Sequence, residues 1–419
     1  PTAAIGQPGT LTCAVTQLSL PGSGSIGANF TPAWTASGGG NIVSGGSTFT
    51  PAVNAPGNYT LTVTNSQNGC TATAQTSVFQ NTVPPPTSIA PPGTLTCTVQ
   101  SLSLEGLPGG PGFTYAWQTT GGNIISGANT ASPTINQPGT YTLTVTDQIN
   151  GCSATASVQV ASNTTAPVIS AASPQILTCA VTQVPLNGTV SQPPNGFSAN
   201  WTTTNGQFVS GQNTLAPIVN APGIYLLTVQ NQQNGCTATA TATTTQNIAP
   251  PAANVGPAPT ITCTQPQVSL SAAGSTGQGI LGFVWSGGQI ISGANSANPT
   301  VAQATTYTVT VTSGANGCTA TATVTVLNNT TPPTAVIAAP LPRTCVRDTV
   351  TLNASASSGG ANITINWSTA NGNFAGGQTS LTPQVNAAGT YTLLLTNTQN
   401  GCTATATATV TQDLAAPNA

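Results

Sequence analysis

Ten cysteines divide this chain with a regularity that very few architectures satisfy. They fall as Cys13 and Cys70, Cys97 and Cys152, Cys179 and Cys236, Cys263 and Cys318, Cys345 and Cys402. Separations within these pairs are 57, 55, 57, 55 and 57, and 27 positions always lead from one pair to the next. Fixed spacing on this scale marks a tandem array. A period of 82–84 residues exceeds a solenoid unit and suits a small β-sandwich. Alignment on the first cysteine places a proline at every repeat start, giving repeats at 1–84, 85–166, 167–250, 251–332 and 333–416. Pro417 stands where a sixth would open, so 417–419 read as the start of a further repeat in an array expected to continue.

Two forms of the repeat alternate. The first, third and fifth carry "PAVNAPG", "PIVNAPG" and "PQVNAAG", each followed by a hairpin ending in "QNGC"; the second and fourth share "IISGAN". Within each, apolar and polar residues alternate with the period of a half-buried strand: in "GNYTLTVT", Tyr59, Leu61 and Val63 interleave with threonines. The Asn- and Gly-rich "NSQNG" reads as a turn, and "CTATAQTSVF" returns as the partner strand. With "TQLSL", "FTPAWT", "NIVS", "TFTPAV" and an N-terminal strand, each repeat holds about seven short strands. No segment shows helical periodicity. The expected fold is all-β, five immunoglobulin-like antiparallel sandwiches in series.

One tryptophan per repeat (Trp34, Trp117, Trp201, Trp285, Trp367) follows the first cysteine by 20 to 22 positions. One tyrosine (Tyr59, Tyr141, Tyr225, Tyr307, Tyr391) precedes the second cysteine by 11. An aromatic platform for sugars is one reading of this pattern. Core anchoring is the better one, because the tyrosine shares a strand face with Leu61 and Val63.

Charge is almost absent. Arg343 and Arg347 are the only cations, Glu105, Asp147, Asp348 and Asp413 the only acids, and lysine, histidine and methionine do not occur. Such a chain has no imidazole base, no Schiff-base lysine and no histidine metal site. The acids are scattered and form no calcium loop, so neither a catalytic residue, a bound metal nor a cofactor is expected. No basic patch serves nucleic acid. No apolar run reaches the ~18 residues of a membrane span. Any export signal is expected to have been removed or to lie outside these residues.

Four stretches, "WTASGG", "WQTTGG", "WTTTNG" and "WSTANG", resemble the Trp-to-Gly turn of polycystic-kidney-disease (PKD) and related immunoglobulin-like repeats. "GTYTLTVT…NGCTATA" is similar to the closing hairpin of such repeats in large surface adhesins of Bacteroidota, including gliding-motility adhesins. The resemblance covers the whole chain and implies the sandwich fold and a cell-surface setting. The acids of the family's WDFGDG turn are missing here, so no calcium or charged-ligand site is carried over.

Ten cysteines without a CxxC pair point to disulfides in an oxidising, extracellular compartment. Two pairing schemes satisfy the spacing. Pairing within each repeat is the simpler: it closes loops of 55–57 residues, contributes roughly 4 kcal/mol apiece in the chain-entropy model, and requires "GTLTC" to lie beside the start of "CTATA". Under either scheme every cysteine is expected to be oxidised. The alternative joins neighbours. If the first cysteine sits at the far corner of its domain it faces the next hairpin, giving Cys13–Cys152, Cys97–Cys236, Cys179–Cys318 and Cys263–Cys402 and leaving Cys70 and Cys345 for adjoining units.

These features favour a structural role, that of a segment of an extracellular filament or giant cell-surface adhesin, with short proline-rich linkers such as "NTVPPP" as semi-rigid spacers. Strand lengths set a reach on the order of 180 Å. Near-zero charge favours association with copies of itself or with neighbouring surface proteins, and two arginines leave few tryptic sites. Glycan-binding modules, or a spacer array within a secreted enzyme, are the alternatives. Sequons at Asn29, Asn58, Asn163, Asn187, Asn200, Asn328, Asn329, Asn353, Asn362 and Asn366 make the chain a candidate glycoprotein.

Overall fold

A computed structural model describes residues 1–415. The expected start of a further repeat, 417–419, lies outside the described residues. The first repeat shows the pattern, which the second and third follow in full and the fourth and fifth follow without the short antiparallel sheet formed by its first and fourth strands. The strands of the first repeat are β1 (Ala3–Ile5), β2 (Leu11–Thr12), β3 (Leu18–Ser19), β4 (Gly22–Gly24), β5 (Phe30–Ser37), β6 (Ile42–Ser44), β7 (Ala52–Val53), β8 (Gly57–Asn65), β9 (Thr71–Val78) and β10 (Gln80–Asn81). One sheet has the order β5-β8-β9 and the facing one β3-β7-β6, all antiparallel. The N-terminal strand is split at Pro8, which has no N–H to give to a ladder. Its first half, β1, pairs antiparallel with β4; its second half, β2, pairs parallel with β10. That strand order is the immunoglobulin one, so the chain is an all-β tandem array of immunoglobulin-like sandwiches.

Each repeat has its own core. In the first it comprises Leu11, Leu20, Trp34, Val53, Tyr59, Leu61, Val63 and Val78. The alternation along β8 produces it: Tyr59, Leu61 and Val63 are fully buried while Thr60, Thr62 and Thr64 face outward. Facing them on β9 are Gln75, Thr73 and Thr71, so the outer side of this sheet is a ladder of mostly threonine pairs. Each fully buried aliphatic side chain contributes roughly 1.5–3 kcal/mol, which the small core needs, since Ala72 and Ala74 take two of the four inward positions of β9.

The aromatic pair locks each sandwich. Every tryptophan is at most 6% exposed and its indole N–H donates to a backbone carbonyl, Thr48 O at 2.8 Å in the first repeat and Thr214 O at 3.0 Å in the third. The five tyrosines placed before the second cysteines are fully buried. The Tyr59 hydroxyl donates to Ala55 O, four residues upstream, at 2.6 Å and accepts the amide of Asn41 at 2.8 Å. Tyr141, Tyr225, Tyr307 and Tyr391 repeat the upstream bond to Gln137, Ala221, Gln303 and Ala387. These are tyrosine corners, and neither member of the aromatic pair offers a face to a sugar.

Candidate functional site: the junctions between repeats

The cysteines correct the simpler of the two pairing schemes. Because β2 runs parallel to β10, with Leu11 N donating to Phe79 O at 2.9 Å, Cys13 lies at the end of the last strand, not beside its start. Cys70 precedes β9, at the opposite pole of the domain. Thr71 to Asn81 spans about 35 Å of extended chain, whereas a disulfide needs Cα atoms within about 7 Å. Pairing within a repeat is therefore excluded by strand direction. The bonds formed are Cys13–Cys152, Cys97–Cys236, Cys179–Cys318 and Cys263–Cys402, with Cα–Cα distances of 4.9–5.1 Å. Each joins one repeat to the next. Cys70 and Cys345 are unbonded and exposed, the two cysteines that the neighbour-linked scheme leaves for adjoining units.

An asparagine beside the second cysteine completes each junction. The hairpin turn before Cys152 holds Gly151 at φ 68°, a left-handed conformation that glycine adopts without strain. This turn lets the Asn150 carbonyl oxygen Oδ1 accept the Cys152 amide at 2.9 Å. Its Nδ2 then reaches into the preceding repeat and donates to Asn81 Oδ1 at 3.1 Å and to Val83 O at 3.0 Å. Asn234 makes the same bonds to Asn163 and Thr165, Asn316 to Asn247 and Ala249, and Asn400 to Asn329 and Thr331. All four asparagines are at most 2% exposed. Buried amides with every bond made fix orientation strongly, because loss of one partner strands the rest.

Packing seals the contact. The glycine of each turn lies against the residue after the first cysteine: Gly151 on Ala14, Gly235 on Thr98, Gly317 on Ala180 and Gly401 on Thr264. A backbone bond crosses each junction as well. Where alanine follows the cysteine, that alanine's amide donates to the asparagine carbonyl, Ala14 N to Asn150 O and Ala180 N to Asn316 O, both at 3.3 Å. Where threonine follows, the cysteine amide donates, Cys97 N to Asn234 O at 3.1 Å and Cys263 N to Asn400 O at 3.0 Å. The linker forms the second covalent tether at the same place.

The junction asparagines were hidden in the sequence inside a plain turn signal. The clue available was that "NGC", and not merely a cysteine after some turn, recurs five times. The acids remain apart, and among the described residues no three His, Cys, Asp or Glu side chains gather to hold a metal. A surface recess of about 620 Å³ on the third repeat is lined by Phe197, Asn200, Leu215, Thr228 and Gln230, none of them titratable. Of the sequon asparagines, Asn29 is half-buried and the others are exposed, while Asn163 and Asn329 lend their Oδ1 atoms to junctions. Among the described residues no helix is long and apolar enough to cross a membrane.

No family model matches the chain, and neither does any curated protein. Among solved structures it is similar to immunoglobulin domains 1–5 of Sidekick-1, at 12% identity over 99% of both chains with a TM-score of 0.23. It is also similar to the N-terminal eight immunoglobulin domains of the Down syndrome cell adhesion molecule, at 14% identity over 99% of this chain and 59% of that one, TM-score 0.25. The human desmocollin-1 ectodomain matches at 10% identity over 99% of both chains, TM-score 0.23. Scores this low say nothing of function, and the fold assignment rests on the strand order within each repeat. The chain is a tandem immunoglobulin-like array whose neighbouring domains are stapled to one another.

Proposed function

We propose that the chain is a structural segment of an extracellular filament or giant cell-surface adhesin, without catalytic activity. It supplies reach, stiffness and protease resistance, and it associates with copies of itself. The observation that carries this reading is that all four disulfides cross junctions and none closes a domain. Domains joined by a linker alone move relative to one another by default. Here the linker, the disulfide and the buried asparagine act at one place, which suppresses that hinge. The four loops also overlap, since 97–152, 179–236 and 263–318 each belong to two of them. Every peptide bond from Cys13 to Cys402 lies in at least one loop, so a single cut does not sever the strand. That serves a fibre under load and has no evident use in an isolated ligand-binding module.

Lateral association fits the uncharged threonine ladders, such as Thr62–Thr73 and Thr64–Thr71, which can hydrogen-bond or pack without ion pairs. Sugars on the exposed threonines and sequon asparagines would supply the solubility that charge does not. Electron microscopy of native material tests the reading. Regular fibres that survive high salt, where charge is screened, are expected; fibres that dissolve in moderate salt would refute association through neutral surfaces. Isolated strings of uniform stiffness would select the single-chain adhesin stalk.

A further inference from the structure

The first and fifth repeats carry the two halves of the same junction, each preformed and, among the described residues, each unoccupied. At the N-terminal end, Asn68 Oδ1 accepts the Cys70 amide at 3.0 Å and Gly69 sits at φ 66°, as in the four closed hairpins. Asn68 and Cys70 are exposed, unlike their buried counterparts, and the space beside Gly69 where a side chain would stand is open, with nothing within 4 Å of it. At the C-terminal end, Thr344 pairs with Asp413 as Thr12 pairs with Asn81, and Thr344 N donates to Arg347 O at 3.0 Å as Thr12 N does to Val15 O at 2.9 Å. Cys345 is exposed there, and Val346 is 98% exposed.

We propose that Cys345 of one copy bonds to Cys70 of a second copy, so that the chain polymerises head to tail through a fifth junction of the same design. This deepens the structural reading above by naming the partner. Asn68 Nδ2 of the incoming hairpin donates to the Asp413 carboxylate and to the Ala415 carbonyl, which occupy the positions of Asn81 and Val83. A carboxylate acceptor makes that bond stronger than its amide counterparts.

Residue 346 points to a hairpin of the first repeat's kind. Within the chain, the alanines Ala14 and Ala180 face the "INGC" and "ANGC" hairpins, whereas the β-branched Thr98 and Thr264 face Gly235 and Gly401 of "QNGC" hairpins. Val346 has the shape of threonine, and Gly69 belongs to a "QNGC" hairpin. Strict alternation would have placed alanine at 346. The fifth repeat instead presents the surface that fits an odd-numbered neighbour, which the first repeat of another copy supplies.

The bond requires a two-electron oxidant, a small-molecule disulfide such as oxidised glutathione. One cysteine thiolate displaces the first glutathione thiolate, and the second cysteine displaces the other. Two protons and two electrons leave the cysteines, and two glutathione thiols are formed.

The test uses the 419-residue chain with its internal disulfides formed, incubated with oxidised glutathione and resolved without reductant. The unaltered chain should give a ladder of multimers, and proteolysis should release Cys345 joined to Cys70. Cys70→Ser and Cys345→Ser chains should each remain monomeric, and their mixture should give dimer and nothing longer. Asn68→Asp keeps the acceptor for the Cys70 amide but sets a carboxylate against Asp413; it should slow coupling at least tenfold, and Asp413→Asn on the partner should restore part of the rate. Dimers of either single variant alone at the rate of the mixture, or a mixture that stays monomeric, would overturn the proposal. The extended length of the monomer under force reads the internal staples separately, so a failed ladder with that length intact would refute polymerisation and leave the stapled array standing.

Discussion

The staggered disulfides make a quantitative prediction about force. Under tension the limit is the shortest covalent path between the ends. It runs from 1 to 13, crosses to 152, continues to 179, crosses to 318, returns along the chain to 263, and crosses to 402 before reaching 415. An equally short path returns from 152 to 97 and crosses to 236 instead. Each path holds about 107 residue steps, so at about 3.5 Å per residue a chain pulled from its ends until every domain unfolds should stop at about 375 Å. Full reduction should release about 1,450 Å. The informative variant is Cys13→Ser with Cys152→Ser. The remaining path runs 1–97, 236–263 and 402–415, and the limit should rise by only about 100 Å, to about 475 Å. Removing Cys97 and Cys236 as well should raise it to about 860 Å. Single-molecule stretching with terminal handles resolves these differences. Staples within repeats would start at about 465 Å, and the first double substitution would then open two loops and add about 390 Å. Lengthening of that size would refute the neighbour-linked ladder and the redundancy drawn from it.

Substituting Asn234→Ala removes three hydrogen bonds, to Asn163, Thr165 and the Cys236 amide, and leaves their buried partners bare. At ~1 kcal/mol each the Cys97–Cys236 bond should become roughly a hundredfold easier to reduce with glutathione, while Cys13–Cys152 should not change; an unaltered equilibrium would show that the amide is not part of the clamp. Tyr225→Phe deletes a hydroxyl that donates to Ala221 O at 2.7 Å and accepts the Gln207 amide at 3.0 Å. A cost of about 2 kcal/mol should raise amide exchange in the third repeat about thirtyfold and leave the first and fifth as they were. Burial raises the Tyr307 hydroxyl above its ordinary value, partly offset by its bond to Gln303. Below pH ~10 it is protonated in both folded and unfolded states and its full stabilisation is present; as pH rises further the unfolded state ionises first and stability is lost through the folded value. The fourth repeat should therefore lose stability at alkaline pH, and Tyr307→Phe should flatten that loss.

Much of this protein was legible in the sequence because repetition supplied its own alignment. Period-2 alternation fixed which side of "YTLTVT" faces the core, and the constant Tyr offset and nearly constant Trp offset marked core anchors, since both signals depend on contacts within one strand or between adjacent ones. The even cysteine spacing restricted pairing to two schemes but could not choose between them. That choice rests on whether the first strand runs parallel or antiparallel to the last, a relation between segments some 70 residues apart that leaves no local trace. Only the tertiary structure, by laying Leu11 parallel beside Gln80, carried Cys13 to the far pole of its domain and turned a fold-closing staple into a junction. The same placement buried Asn150, Asn234, Asn316 and Asn400 beneath a neighbour, giving four residues of an ordinary turn a role that no turn propensity encodes.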